Sequence, residues 1–334
     1  MEEKIRELLD NYRLEIKRLY RGRGAWLCET DQGLKLLRAY NGSPKHLQWE
    51  AMVKSCLRDR GHMYIDQFVV NCDGSIMTTS SEDENYVLTD WYEGHECSTK
   101  DREEVLRAVA HLAGMHKSMH SISWEKDIKD VFEQQTILDE MKRRTRELRR
   151  IKNYIIHKKK KNNFDRCFME IYQEFDEAGE RAIEIMEKAG YEKMHQKACE
   201  EQRLCHGDYT QHNILVMPEE TGVVRFDQMR FEIQVYDLYV FMRKILEKNR
   251  WNRGLGMAML STYDRIMPFD KGQIYSLYGM MVFPEKFWKI SNRYQNTRKS
   301  WMSAQNMDKL EKFVREKEQR SRFLESIQVF CGKI

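Results

Sequence analysis

The chain has 334 residues, of which 41% are hydrophobic and 33% are charged, and its formal net charge is +4. This balance is typical of a globular protein with a strongly charged surface and excludes extensive disorder. No apolar run is as long as a membrane span, so no membrane contact is predicted. The N-terminal "MEEKIRELLDNYRLEIK" lacks the apolar core of a signal peptide, which predicts a cytoplasmic location. The eight cysteines form no C-x-x-C pair, so a zinc site or a disulfide framework is not expected.

The first part of the chain, residues 1 to about 92, has the pattern of a small antiparallel sheet with one helix. After a short helix, the strand-like runs "RLEIKRLY", "AWLCET" and "LKLLRAY" are separated by turns, the first of which is "RGRG". A helix follows, with Ser43 as its cap and Pro44 in its first turn. Further strands are predicted in "YIDQFVVN", "SIMTTS" and "NYVLTDWYEG".

From residue 101 onward, the spacing of apolar residues is mainly helical. Residues 133 to 200 predict two long charged helices joined near "HKKKKNNFD". The predicted fold class is therefore α+β. We expect an N-terminal lobe at 1–92 and a larger, mainly helical lobe at 93–334 that includes a helical insertion at about 121–200.

A strand-rich patch, "LCHGDYTQHNILVMPEETGVVRFDQMRFE", interrupts the helical part. "PEETG" predicts a hairpin turn between "ILVM" and "VVRF". If Met217 faces Val223 across this hairpin, Asn213 lies opposite Asp227. Directly paired residues in antiparallel strands are about 5 Å apart.

The oxygens of Asn213 and Asp227 are ligands of the kind that Mg²⁺ prefers. Asp208, on the loop just before the hairpin, would then accept a proton from an attacking hydroxyl or orient it, which is typical of phosphoryl transfer. The alternative is a solvated turn in which these side chains bond to their own backbone.

The motif "HGDYTQHN…FDQMR…DLYVF" resembles the aminoglycoside phosphotransferase and choline kinase branch of the protein-kinase-like fold. Within that branch, "GLKLLRAY", "DQMRFEIQVYDLYVFMRKILEKNRW" and "FPEKFWKISNRY" closely resemble the bacterial spore-coat CotS-like proteins. The resemblance covers nearly the whole chain. It implies a bilobed kinase-like fold with ATP and Mg²⁺ as cofactors.

The resemblance also implies roles for matching residues in the catalytic lobe. Asp208 matches the catalytic base, and Asn213 and Asp227 match the metal ligands. His206 matches a residue that supports the catalytic loop, and Asp237 matches a buried acid that braces it.

On the nucleotide side, Gly22 and Gly24 match the turn that covers the phosphates, although any hairpin could use such glycines. Arg38 stands where the family has a phosphate-binding lysine, and the two residue types are not interchangeable. Glu50 matches the acid that positions this cation, with a surface salt bridge as its alternative role.

The segment "LTDWYEG" matches the connector between the lobes, where backbone groups of Asp90, Trp91 and Tyr92 would hold a purine. After Asp227 the sequence departs from the family pattern, because Gln228 and Met229 replace the usual residues. The basic stretch "KRRTRELRRIKNYIIHKKKKNN" is expected to be a solvated face or to pair with the acidic helix after it, rather than to bind nucleic acid.

Two functions are consistent with these residues. The first is a phosphotransferase that moves the γ-phosphate of ATP to a hydroxyl of a small molecule or sugar, in connection with the spore coat. The second is a binding or structural component of the coat, with other coat components as partners and a vestigial site. Arg38 and the residues after Asp227 favour the second, whereas the retained Asp208, Asn213 and Asp227 oppose it.

Overall fold

The computed structural model of the chain describes residues 2–22, 24–120, 122, 135–296 and 301–333. These residues form two compact units. The first combines Met1–Phe132 with His206–Arg230, and the second combines Glu133–Cys205 with Phe231–Ile334. The lobe boundary at residue 92 and the insertion that starts at about 121 stay predictions, and part of that insertion lies outside the described residues.

A five-stranded antiparallel sheet with the strand order β1-β2-β3-β5-β4 forms the main part of the first unit. A smaller sheet has the order β6-β8-β9. The strands are β1 (Ile16–Arg21), β2 (Ala25–Thr30), β3 (Gly33–Ala39), β4 (Thr78–Thr79), β5 (Asn85–Asp90), β6 (His95–Glu96), β7 (Leu204–Cys205), β8 (Ile214–Val216), β9 (Thr221–Val223) and β10 (Arg230–Phe231). The helices of this unit are α1 (Glu2–Leu9), α2 (Pro44–Asp59) and α3 (Arg102–Met119).

The predicted three-strand meander and the helix after it are confirmed. The hydroxyl of Ser43 accepts a hydrogen bond from the amide of His46, and Pro44 occupies the first helical position. The N-terminal helix α1 packs its buried Leu8 and Leu9 with Leu37 of the sheet. Local sequence signals and apolar packing therefore agree in this part of the chain.

The strand predicted in "YIDQFVVN" is wrong. Within this segment the structure has only isolated bridges, at Ile65 and Phe68. The amide of Gln67 bonds back to the carbonyl of Ile65 at 2.7 Å, which interrupts the extended backbone. The side chain of Asn71 then accepts from the amides of residues 73 and 75 and holds a turn.

The second unit is mainly helical. Its helices are α4 (Ile137–His157), α5 (Asn163–Lys188), α6 (Tyr191–Glu200), α7 (Val235–Lys248), α8 (Arg253–Ile266), α9 (Lys271–Val282), α10 (Glu285–Asn296), α11 (Trp301–Arg315) and α12 (Lys317–Cys331). The sheet of the first unit and these helices confirm the predicted α+β class. Within the described ranges, no helix has the length and hydropathy needed to cross a membrane.

The predicted pairing of the basic helix with the acidic helix is confirmed. Lys142 of α4 lies 2.7 Å from Glu187 of α5, and Arg149 lies 3.0 Å from Asp176. Aromatic side chains of α10 also pack against α5. Phe287 is fully buried and stacks on Phe168.

Candidate active site

The predicted site residues, apart from Asp237, lie in the first unit. Asp237 is a buried residue of α7 in the second unit, and its bracing role stays a prediction.

His206 is fully buried and packs against the loop that carries Asp208. Its Nε2 lies 3.1 Å from the carbonyl oxygen of Val224, and its Nδ1 lies 3.3 Å from the amide nitrogen of Asp208. Since an amide can only donate, Nδ1 accepts and Nε2 donates, which assigns a neutral imidazole. These contacts join the loop at Asp208 to the backbone of Val224, and the role that the resemblance assigns to His206 stays a prediction.

Asp208 and Asn213 are joined directly. The amide nitrogen Nδ2 of Asn213 donates to the Asp208 carboxylate Oδ2 at 3.0 Å and to the Asp208 carbonyl oxygen at 2.9 Å. These two bonds use both hydrogens of the Asn213 amide. The amide oxygen Oδ1 is therefore the atom of Asn213 that is available as a ligand.

The predicted register of the hairpin is wrong by three residues. Ile214, rather than Met217, lies opposite Val223. The amide of Val224 bonds to the carbonyl oxygen of Asn213 at 3.0 Å, so Asn213 is not directly opposite Asp227. The turn is tight, because the amide of Met217 bonds to the carbonyl of residue 220, and this closes the strands earlier than the prediction assumed.

Asp227 is reached through an irregular segment rather than a strand. Arg225 has a left-handed backbone with φ 63°, and its amide bonds to the carboxylate of Asp66 at 3.1 Å. Burial, the largest single effect, acts to raise the pKa of Asp227, but the Arg38 guanidinium, the hydrogen bond from Gln228 and the charge of Lys54 together lower it, and the pKa lies below its usual value. Asp227 is thus held as an anion, which a metal ligand requires.

Arg38 contacts both predicted acids, but not closely. Its Nη2 lies 3.4 Å from Asp227 Oδ1 and 3.8 Å from Glu50 Oε1. The side chain is only 10% exposed, and its Nε and Nη2 have no hydrogen-bond partner among the described residues. A buried guanidinium with unsatisfied donors is suited to an anion with several oxygens, such as a phosphate.

Glu50 is fully buried, so its alternative role as a surface residue is excluded. Its carboxylate lies 2.7 Å from Nζ of Lys54, which also lies 3.1 Å from Asp66. Burial raises the pKa of Asp66. The sequence reasoning missed Lys54 and Asp66, although Glu50 and Lys54 have the i, i+4 spacing of a helical ion pair.

The turn between β1 and β2 contains both predicted glycines. The amide of Gly22 bonds to the carbonyl of Ala25 at 2.9 Å, and Gly24 has φ 68°. A β-carbon on Gly24 would have no neighbour within 4 Å. Glycine is therefore suited to the turn conformation, and Ala25, the residue after the turn, pairs with Arg38 across β2 and β3.

The connector at residues 90–92 continues β5. The amides of Asp90 and Trp91 already bond to carbonyls of Gln67 and Leu34, at 2.8 and 2.9 Å. The carboxylate of Asp90 forms an ion pair with Lys35 at 2.7 Å. The side chain of Tyr92 donates to the carbonyl of residue 65 at 2.8 Å, and its amide has no partner among the described residues.

Metal binding by protein side chains alone is not supported. Within the part of the chain that the structure describes, no group of three or more His, Cys, Asp and Glu residues could hold a metal ion. Asn213 and Asp227 do supply the hard oxygen donors that Mg²⁺ uses together with substrate phosphates. The buried cluster of Glu50, Asp66 and Asp227 with Lys54 and Arg38 carries three carboxylates and two cations, so an added divalent cation is electrostatically favourable.

Comparison with known proteins places the chain among spore-coat and kinase-like proteins. A family model described as "Spore coat putative kinase YutH" matches residues 5–327. The chain is 20% identical over 327 residues to "Spore coat protein S" of Bacillus subtilis (strain 168), which covers 94% of this chain and 89% of that protein. The predicted resemblance to spore-coat CotS-like proteins is confirmed.

Solved structures show the same fold. The crystal structure of an aminoglycoside phosphotransferase from Alicyclobacillus acidocaldarius subsp. acidocaldarius DSM 446 matches with a TM-score of 0.87 and 18% identity, covering 98% of this chain and 96% of that chain. Amicoumacin kinase hAmiN in complex with AMP-PNP, Ca²⁺ and Ami matches with a TM-score of 0.61 and 12% identity, covering 96% and 93%. The predicted kinase-like fold is therefore confirmed.

Proposed function

The chain belongs to the "Spore coat putative kinase YutH" family, and from this and the site geometry we propose that it is an ATP- and Mg²⁺-dependent phosphotransferase. The acceptor is a hydroxyl of a small molecule or sugar. The observation that carries the proposal is the direct bond between Asn213 and Asp208 at 3.0 Å. This bond fixes the carboxylate that would face the acceptor and orients the amide oxygen that would face a metal.

Each charged side chain then has one task. Asp208 orients the acceptor hydroxyl and accepts its proton as the oxygen attacks the γ-phosphorus. Oδ1 of Asn213 and the carboxylate of Asp227 hold Mg²⁺, which when bound neutralises charge on the phosphate oxygens. Arg38 donates its unsatisfied Nε and Nη2 hydrogens to the nucleotide phosphates.

The purine is held by the connector. Since the amides of Asp90 and Trp91 already have carbonyl partners, the amide of Tyr92 is the donor that remains for a base. The glycine turn at Gly22 and Gly24 covers the phosphates. The names of the matched family and the Bacillus relative support action in or at the spore coat.

The second candidate is a coat component with an inactive site. The specific observation in its favour is the contact between Arg38 and Asp227 at 3.4 Å, because a cation already lies beside the carboxylate that a metal would need. In that case the chain would act by binding other coat components. The two candidates differ in whether Mg²⁺ improves nucleotide binding.

The deciding experiment is a thermal-shift titration with ATP and GTP, each with and without Mg²⁺. A ligand that binds only the folded chain raises its apparent stability by mass action. We expect a shift that depends on Mg²⁺ in the natural chain and is absent in Asp227→Ala, with each variant compared with its own nucleotide-free baseline. Asp73→Ala, which removes an exposed acid, is the matched control and should respond like the natural chain. No shift at millimolar nucleotide would favour the coat-component reading.

A further inference from the structure

Lys54, not Arg38, is the nearest cation to Glu50. Nζ of Lys54 lies 2.7 Å from Glu50 Oε1, whereas Nη2 of Arg38 lies 3.8 Å from the same oxygen. Glu50 and Lys54 are one turn apart on α2, and both side chains are fully buried. At these distances in a buried site, the closer cation provides most of the charge compensation for Glu50.

Lys54 also contacts a second acid, Asp66, which bonds to the segment that carries Asp227. Its Nζ lies 3.1 Å from Oδ1 of Asp66, which is buried. The other oxygen of Asp66 accepts the amide hydrogen of Arg225 at 3.1 Å. Arg225 has φ 63° and precedes Asp227 by two residues, so Asp66 holds the bend from which Asp227 extends.

Aromatic rings close the cavity around the ammonium group. Nζ of Lys54 lies 4.0 Å from the ring centre of Phe68 and 5.7 Å from that of Phe226, the residue before Asp227. The ammonium group lies within ion-pair distance of both carboxylates and beside the ring faces, although its contacts with the carboxylates lack hydrogen-bond geometry, and it has no exposed surface. Its location is therefore fixed by four side chains from three segments of the chain, rather than by a flexible surface pair.

We propose that Lys54 is a positioning residue that binds Glu50 in place of the nucleotide cation and, through Asp66 and Arg225, fixes the metal ligand Asp227. This inference rests on the proposed function and deepens it. In the family pattern, one lysine both pairs with the acid at the position of Glu50 and binds phosphate. In this chain Lys54 pairs with Glu50 and positions the segment of Asp227, and Arg38 binds phosphate.

The first test is a pair of double-mutant cycles read out by urea unfolding, which needs no ligand. One cycle combines Lys54→Met with Glu50→Gln, and the other combines Arg38→Met with Glu50→Gln. We expect the unfolding constants to show coupling of at least about tenfold for Lys54 with Glu50 and within about threefold for Arg38 with Glu50. Equal coupling, or the larger value for Arg38, would overturn the assignment.

The second test measures how much Mg²⁺ is needed for ATP binding. The double variant Lys54→Met/Glu50→Gln removes one charge of each sign, so the net charge of the cluster is unchanged and folding is retained where a single variant fails. We expect its half-saturating Mg²⁺ concentration to rise at least about tenfold, while ATP binding without metal changes by less than about twofold. If Lys54 only stabilised the fold, neither the half-saturating Mg²⁺ concentration nor the affinity for ATP without metal would change at a temperature where the variant is folded. Lys45→Met, at an exposed lysine of the same helix, is the control.

The outcomes separate the inference from the proposed function. If the natural chain binds Mg²⁺ and ATP together and the double variant has the same Mg²⁺ requirement, the positioning role of Lys54 is overturned and the proposed function stands. If the natural chain shows no joint binding, the proposed function fails, and the link from Lys54 to a metal ligand fails with it. The urea cycles then still decide which cation binds Glu50.

Discussion

Gly207 lies directly against the carbonyl group of Gln228. A β-carbon on Gly207 would be 1.8 Å from that oxygen, and the glycine itself has φ 82°. The catalytic loop and the segment with Asp227 therefore touch through their backbones. This contact sets the distance between the proposed proton acceptor and the proposed metal ligand.

Gly207→Ala should destabilise the chain by more than about 3 kcal/mol, since a backbone carbonyl would have to move and a left-handed conformation would carry a side chain. Gly24→Ala is the matched control. Gly24 also has a positive φ, but an added β-carbon there meets no atom within 4 Å. Gly24→Ala should lower the free energy of unfolding by about 1 kcal/mol, from backbone strain alone. Urea unfolding of both variants measures the difference, and similar costs would contradict the close contact.

Asp208→Ala should abolish phosphoryl transfer and leave nucleotide binding largely intact. The reason is that Asp208 is assigned to the acceptor hydroxyl, whereas Asn213, Asp227 and Arg38 are assigned to metal and phosphate. ATP turnover with candidate acceptors and ATP affinity with Mg²⁺ are the two measurements. An equal loss of turnover and affinity would argue against the separate role of Asp208. Asp73→Ala again serves as the control.

Stability should fall between pH 7 and pH 5 because of His111. Burial, with a smaller effect of nearby His62, lowers the pKa of His111 to about 3. The unfolded chain takes up this proton near pH 6.5, whereas the folded chain does not until about pH 3, so the unfolded state binds more protons throughout this window. At pH 5 the free energy of unfolding is therefore lower by about 2 kcal/mol than at neutral pH.

His111→Gln should remove this part of the pH dependence. Urea unfolding at pH 7.5 and pH 5 measures it, and His120→Gln, at an exposed histidine near the end of the same helix, is the control. His62 also has a pKa lowered by burial, so some pH dependence should remain in the variant. An unchanged slope in His111→Gln would contradict the burial of its neutral ring.

Arg320 should be far more important for stability than Arg322 on the same helix. Its Nη2 donates to the carbonyl oxygens of residues 281, 282 and 283 at the end of α9, at 2.9, 2.8 and 3.3 Å. Burial lowers the pKa of Arg320 to about 10, which still leaves it charged at neutral pH. Arg320→Met should cost about 3 kcal/mol, because buried carbonyls lose a charged donor.

Arg322→Met is the matched control for this change. The Arg322 side chain is 69% exposed, and its ion-pair partner among the described residues, Glu318, is 71% exposed. Its loss should change the free energy of unfolding by less than about 1 kcal/mol. Comparable effects of the two substitutions would contradict the capping role of Arg320.

Several features followed from the sequence because they depend on residues close together in the chain. The cap at Ser43, the paired charged helices and the loop position of Asp208 ahead of Asn213 are of this kind. The spacing of five residues in "HGDYTQHN" brings an acid and an amide onto one short loop, and no distant contact is needed. The α+β class followed from the strand and helix patterns, and the family resemblance then implied the kinase-like fold.

Tertiary structure alone decided the burial of Glu50 and the route to Asp227. The i, i+4 spacing of Glu50 and Lys54 is visible in the sequence, but only the fold buries both side chains and places Nζ of Lys54 closer to Glu50 than Nη2 of Arg38, at 2.7 Å against 3.8 Å. The hairpin register differed by three residues because the turn at Met217 closes more tightly than its composition indicated. Contacts such as that of Asp66 with Arg225 join segments more than 150 residues apart, and their geometry depends on the packing of the whole unit rather than on local preference.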